Sequence, residues 1–159
     1  MFSKLGYKKY LSRCKSYYNK GDLNSRIYTE FVISFHSLTD LILKKILVIE
    51  NDAATLEIVS ILLGNSGYTV IPSETALSLQ QISNTNPSLV IIDYLLTGEF
   101  GSALCSELKA NTSTKHIPVI LFSASHHLEE IAHSSHADAF ISKPFELDQF
   151  LQIVDKLAI

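Results

Sequence analysis

At 159 residues the chain is long enough for one domain of ordinary size plus an extension. A hydrophobic content of 47% with 18% charged residues suits a packed core and excludes a disordered chain. No apolar run approaches the roughly 20 residues that cross a bilayer, and no leader-like apolar segment with a small-residue cleavage site opens the chain.

The net charge of −3 is unevenly spread. Residues 1–45 hold nine Lys/Arg against three Asp/Glu, a balance of +6, and the remainder hold four against 13, a balance of −9. Such a split marks two segments with different jobs. Cys14 and Cys105 have no CxxC partner, so two reduced thiols in a cytosolic protein are expected rather than a disulfide or a metal site.

Residues 1–44 read as a basic, aromatic N-terminal extension, either flexible or partly helical. "YKKYLSRCKSYYNK" carries four Tyr, Gly21-Asp22 marks a break, and Phe31, Phe35 and Leu38 follow at helical spacing. Interleaved basic and aromatic residues suit nucleic acid or an acidic partner, yet no DNA-reading motif accompanies them, so nucleic acid is not an expected partner.

From Lys45 the pattern becomes regular. "KILVI" is a short apolar strand. "DAATLEIVSILLGNSG" predicts a helix capped by Asp52, with Gly64 and Gly67 as stops. "YTVIP" predicts a strand, and "SETALSLQQISNTN" a helix opened by Ser73. "LVIID" is a strand ending on Asp93, followed by a turn at Thr97-Gly98 and a helix over 101–112. "IPVILFS" predicts a strand, 126–133 a short helix, "AFIS" a strand, and "ELDQFLQIVDKLAI" a closing amphipathic helix.

Five β–α units in alternation, with strands 1, 3 and 4 apolar throughout, imply a doubly wound α/β fold with a parallel sheet buried on both faces. Such sheets carry their working site beyond the carboxyl ends of the strands. Those ends are polar here: Glu50, Asn51 and Asp52 after strand 1, Asp93 at strand 3, Ser123 at strand 4, and Lys143 before Pro144 after strand 5. Each residue taken alone reads as a turn former, a cap or a solvated side chain. Jointly they outline one site.

At these residues the chain resembles a response-regulator receiver domain, the phosphoacceptor module of two-component signalling. "KILVIEND" is similar to that family's first strand and acidic pair, "LVIIDYLLTGEFG" to its phosphorylation-site stretch, "PVILFSA" to its hydroxyl strand and "FISKPF" to its Lys-Pro signature. The resemblance covers 45–159 and none of 1–44. It implies a flavodoxin-like five-stranded parallel sheet in the order 2-1-3-4-5, the order for which a receiver is a standing example.

It also implies roles. Asp93 would be the phosphoacceptor, Lys143 a mobile charge on the phosphoryl group, and Ser123 a hydroxyl donor to it. Mg2+ would be held by Glu50, Asn51, Asp93 and the backbone carbonyl of Leu95. Ser123 and Phe140 would form the switch. The readout face would comprise helix 4, strand 5 and helix 5, with Phe150, Leu151 and Val154 if exposed.

The expected donor is a sensor histidine kinase or a histidine phosphotransfer protein, the location cytoplasmic, and the role non-enzymatic. With no output domain after the last helix, a stand-alone receiver is expected. Leu95 and Ser125 flank the water path of the family; apolar Leu95 implies slow loss of phosphate, and small Ala124 an open site.

The family usually has two adjacent acids where this chain has Glu50-Asn51, which implies weakened Mg2+ affinity, with Asp52 as the helix cap. The alternative is a pseudo-receiver that binds partners without phosphorylation. An aspartyl-phosphate hydrolase would want an acid at Leu95, and a flavin protein a phosphate-cradling loop at "ENDAAT". His126, His127, His133 and His136 are expected on the surface rather than in a zinc site.

Overall fold

A computed structural model describes residues 44–124 and 128–158. The expectations for residues 1–43, Cys14, Ser125, His126 and His127 lie outside the described residues.

The elements follow the predicted alternation: β1 (Lys45–Ile49), α1 (Ala53–Asn65), β2 (Thr69–Ser73), α2 (Leu79–Thr85), β3 (Leu89–Asp93), α3 (Gly101–Ala110), β4 (Val119–Ser123), α4 (Leu128–Ser134), β5 (Ala139–Ser142) and α5 (Leu147–Leu157). The five strands form one parallel sheet in the order β2-β1-β3-β4-β5, as the resemblance implied. A small antiparallel pair, Leu95–Leu96 with Glu99–Phe100, lies between β3 and α3 and turns at Gly98, whose φ is +91°.

The strand pleat sends alternate residues to opposite layers. Leu47, Ile49, Val90, Ile92, Val119 and Leu121 pack with Ile82 of α2, Leu104 and Leu108 of α3 and Ala132 of α4. Ile46, Val48, Leu89, Ile91, Ile120 and Phe122 pack with Leu56, Val59 and Leu63 of α1 and Phe150 and Val154 of α5. Every residue of β3 and β4 is buried, which is why these strands are apolar without alternation. The edges β2 and β5 are only partly covered. No helix among the described residues is long and apolar enough to cross a membrane.

Three local expectations need correction. The second helix does not open at Ser73, which is the last residue of β2 and donates its hydroxyl to the Thr75 carbonyl at 2.7 Å. It opens at Ser78, whose side chain accepts from the Gln81 N–H at 3.3 Å while the Gln81 side chain accepts from the Ser78 N–H at 3.0 Å. That reciprocal cap fixes the start better than an acid in the first turn could. Gly64 does not stop α1, which runs to Asn65 before Gly67 turns it off at φ +91°. Phe150 and Val154 are fully buried and so leave the expected readout face, on which Phe140 and Leu147 are exposed.

Candidate functional site

The site is built where β1, β3, β4 and β5 end. β1 runs straight into Glu50, whose N–H donates to the Ser73 carbonyl at 3.0 Å and whose side chain is turned under the loop, 2% exposed. Asp93, the last residue of β3, is 6% exposed. In register, Asp93 stands opposite Phe122 of β4, so Ser123 lies one residue beyond it, buried on the neighbouring strand. Ser123 is in turn opposite Ser142 of β5, and its carbonyl accepts from the Lys143 N–H at 2.7 Å. That bond delivers the Lys143 side chain back across the strand ends.

The Lys143 ammonium bridges the two buried acids. It lies 2.5 Å from Glu50 Oε2 and 2.6 Å from Asp93 Oδ1, and 4.4 Å from the centre of the Phe122 ring. The other oxygen of each acid meets a backbone donor: Asp52 N–H to Glu50 Oε1 at 3.0 Å, and Leu95 N–H to Asp93 Oδ2 at 2.8 Å. All four carboxylate oxygens therefore have a donor. Desolvation of two carboxylates is tolerable only because of this pairing.

Asp52 and Asn51 behave differently from Glu50. Asp52 is exposed and caps α1, its Oδ1 accepting from the Thr55 N–H at 2.7 Å. The hydrogen bonds from Thr55, with a smaller attraction to Lys143, hold its carboxyl below the ordinary range. Asn51 is exposed, and its amide donates to the Thr97 hydroxyl at 3.4 Å.

The donor set fits a hard divalent cation. Mg2+ binds through one or two carboxylates and keeps several waters, and the rim offers two carboxylates and neutral oxygens. Among the described residues no group of three or more His, Cys, Asp and Glu could hold a metal ion, so any cation here relies on Glu50, Asp93 and uncharged ligands. His133 and His136 belong to no such group.

The structure brings Glu50, Asp93 and Lys143 into direct contact, with Ser123 beside them and Asn51 at the rim. Phe140 is on β5, opposite Leu121 and 38% exposed, away from the core.

Two contributors went unread in the sequence. One is Phe122, the ring beneath the ammonium. The other is Gly101, the first residue of α3: a Cβ there would stand 2.0 Å from the Asp93 carbonyl oxygen and 2.7 Å from Ile92 Cγ2. Its N–H donates to the Tyr94 carbonyl at 2.8 Å, so only glycine allows α3 to begin this close to the end of β3. The signal was available: a glycine stands at the start of the predicted helix, preceded by Phe100, a residue that cannot cap with its side chain.

Comparison with known proteins agrees with this geometry. The family described as the response regulator receiver domain matches residues 46–155. The phosphate regulon transcriptional regulatory protein PhoB of Escherichia coli is 30% identical over 105 residues, covering 64% of this chain and 46% of PhoB. Histidine kinase P4 of Formosa agariphila is 32% identical over 126 residues, 75% of this chain and 9% of that protein. The chain thus matches less than half the length of these curated relatives.

Among solved structures, the response regulator TrrA of Thermotoga maritima, in complex with Mg2+-BeF, superposes with a TM-score of 0.66 at 28% identity, covering 72% of this chain and 99% of that one. The receiver domain of a signal transduction histidine kinase from Syntrophus aciditrophicus gives 0.66 at 29% identity, covering 72% and 89%. With strand order, strand-end residues and the match over 46–155 in agreement, this chain belongs to the response regulator receiver domain family.

Proposed function

We propose that Asp93 accepts a phosphoryl group from the phosphohistidine of a sensor histidine kinase or a histidine phosphotransfer protein, and that the phosphorylated form signals through a change of conformation. The observation that carries this reading is the contact of Lys143 with both Glu50 and Asp93, at 2.5 and 2.6 Å, across 93 and 50 residues of chain. An ordinary α/β domain has no reason to bury two acids and an ammonium together at the ends of its strands.

In the transfer, an Asp93 carboxylate oxygen forms the bond to phosphorus as the bond from phosphorus to the donor imidazole nitrogen breaks, and the imidazole leaves with the electron pair. The Leu95 N–H, on Asp93 Oδ2, orients the nucleophile before the donor arrives. Lys143 moves from Glu50 to the phosphoryl oxygens, and Ser123 donates its hydroxyl to one of them. Glu50, Asn51, Asp93 and the Leu95 carbonyl would hold Mg2+, which when bound neutralises charge on the phosphoryl oxygens; TrrA, solved with Mg2+-BeF, supports this assignment. Asn51 offers no charge, so the affinity for Mg2+ is weaker than in an Asn51→Asp variant.

Leu95 is apolar and 58% exposed at the mouth of the site. It cannot orient an attacking water, and the acyl phosphate is lost slowly. Phosphate biases a two-state equilibrium in which Ser123 moves toward the phosphoryl group and Phe140 packs inward from its exposed position. The readout face is α4, β5 and α5, where Leu147 joins Phe140 at the surface. On this reading residues 45–159 are the receiver, 1–44 a separate segment, the protein is cytoplasmic, and its only chemistry is its own phosphorylation and dephosphorylation.

A second reading, a pseudo-receiver whose interactions ignore phosphate, is favoured by one observation: position 51 carries no charge and its amide is engaged with Thr97. One experiment separates the two. After incubation with acetyl phosphate and Mg2+, mass spectrometry should find an alkali-labile phosphoryl group on the Asp93 peptide and none in Asp93→Asn. An unlabelled wild-type chain leaves the pseudo-receiver.

A further inference from the structure

We infer that the short antiparallel ribbon between β3 and α3 is a docking surface, and that Phe100 on it is a specificity-determining residue that seats an apolar patch of the protein bringing phosphate to Asp93. This rests on the reading of Asp93 as a phosphoacceptor and adds to it the residue that grips the donor.

Phe100 stands where folding alone does not explain it. It is the N-cap residue of α3, a place where Ser, Thr, Asp or Asn would accept from a free backbone N–H, and its side chain makes no such bond. Nor does it gain by burial, for it is 55% exposed. The residue thus forgoes both a cap and a place in the core. Its cross-strand partner Leu95 is 58% exposed, and residues directly opposite in a ribbon share a face. The half-buried Tyr94 stacks on Phe100, with ring centres 5.3 Å apart and planes 23° from parallel. Apolar residues exposed singly are ordinary, but here three gather beside a reactive carboxylate.

The patch is held in place before any partner arrives. Leu95 N–H donates to Asp93 Oδ2 at 2.8 Å, Gly101 N–H donates to the Tyr94 carbonyl at 2.8 Å, and Leu96 anchors the ribbon in the core. An aromatic side chain that is already fixed loses little freedom on docking, as a binding hot spot requires.

Position names the occupant. Tyr94 follows Asp93 directly, so a macromolecule that brings a phosphoryl group within bonding distance of Asp93 must lie beside the ribbon. A small donor such as acetyl phosphate need not touch it. Charge gives the rest of the donor's chemistry. After residue 45 the chain holds four Lys/Arg against 13 Asp/Glu, and Asp52 is exposed at the end of β1. The matching surface is an apolar patch bordered by basic side chains.

The test sets stability against transfer in the full-length chain. Phe100→Ser supplies the missing cap and should raise the urea midpoint. Purified sensor kinases are autophosphorylated with radiolabelled ATP, and the one that labels the wild type fastest serves as the probe. Transfer from that kinase should slow about tenfold or more in Phe100→Ser. It should slow far less in Phe100→Leu and Phe100→Tyr, which keep an apolar side chain. Acetyl phosphate should label Asp93 at the wild-type rate in all three variants, which also shows that their sites are folded. Transfer as fast in Phe100→Ser as in the wild type overturns the inference. So does an equal loss with kinase and with acetyl phosphate, a lowered urea midpoint, or a panel in which no kinase outpaces acetyl phosphate at equal concentration. Each of these leaves the phosphoacceptor reading standing so long as acetyl phosphate labels wild-type Asp93; a wild type that acetyl phosphate does not label sinks that reading and this inference together.

Discussion

Single atoms decide what the Asp93 site tolerates. Gly101 is the sharpest case, because the intruding group would meet backbone rather than a side chain that can rotate away: the Asp93 carbonyl oxygen is 2.0 Å from the position of a Cβ. Alanine would gain less at this first helical position than the about 1 kcal/mol of propensity it has over glycine in a helix interior. The overlap opposes that gain, and overpacking against a fixed backbone costs about 1–3 kcal/mol. Gly101→Ala should therefore lower the urea midpoint at unchanged slope and slow acetyl-phosphate labelling of Asp93, since the Leu95 N–H that orients the carboxylate moves with the displaced backbone. A variant as stable and as quickly labelled as the wild type would refute the close approach.

Cys105 shows the opposite use of burial. Its thiol lies in the core, donates to the Ser135 carbonyl at 3.4 Å and is pushed up to about 11 by desolvation. In a Cys14→Ser background it should resist iodoacetamide at pH 8 in the native protein and react once urea unfolds the chain.

Capping dominates at the scale of the element. α1 begins where Asp52 accepts from the Thr55 N–H, and α2 begins where Ser78 and Gln81 cap one another. The first of these was legible because the acid stands directly before an apolar helical run. The second was missed because Ser73 and Glu74 offered a similar signal five residues earlier, and a cap is decided by which segment can leave the sheet. β2 pairs through Ser73 with Ile49, so the chain is still extended there.

Asp52 carries a pH signature. Its carboxyl is held below the ordinary value of 3.8, so ionised Asp52 favours the folded state. That contribution is complete above the unfolded value and fades as pH falls through the lowered folded value. Asp52→Ala should melt lower than the wild type at pH 7, with the gap closing as the pH is brought below 3.8. A gap that does not depend on pH would show that the charge is not what caps the helix.

For the molecule as a whole, the sheet divides the core into two layers, and α5 closes one of them. Phe150 is fully buried with Phe145 at 5.0 Å and Phe122 at 6.3 Å between ring centres. Phe122 also underlies Lys143, so this aromatic group joins the core to the site. Phe150→Ala should cost about 3–5 kcal/mol in equilibrium unfolding. A loss under 1 kcal/mol would mean that α5 is not a closing element.

The sequence alone determined the strands, the alternation of elements, the cap of α1 and the polar residues at four strand ends. These depend on periodicity and on hydrogen bonds within a few residues of chain. The tertiary structure decided the rest: that Lys143 reaches both Glu50 and Asp93, that Asn51 turns to Thr97, that Gly101 lies against the Asp93 backbone, and that Phe150 is inside while Phe140 is exposed. Each of these depends on which strands become neighbours and how closely a helix docks on them. Crossovers of many residues set those relations, and no local pattern encodes them.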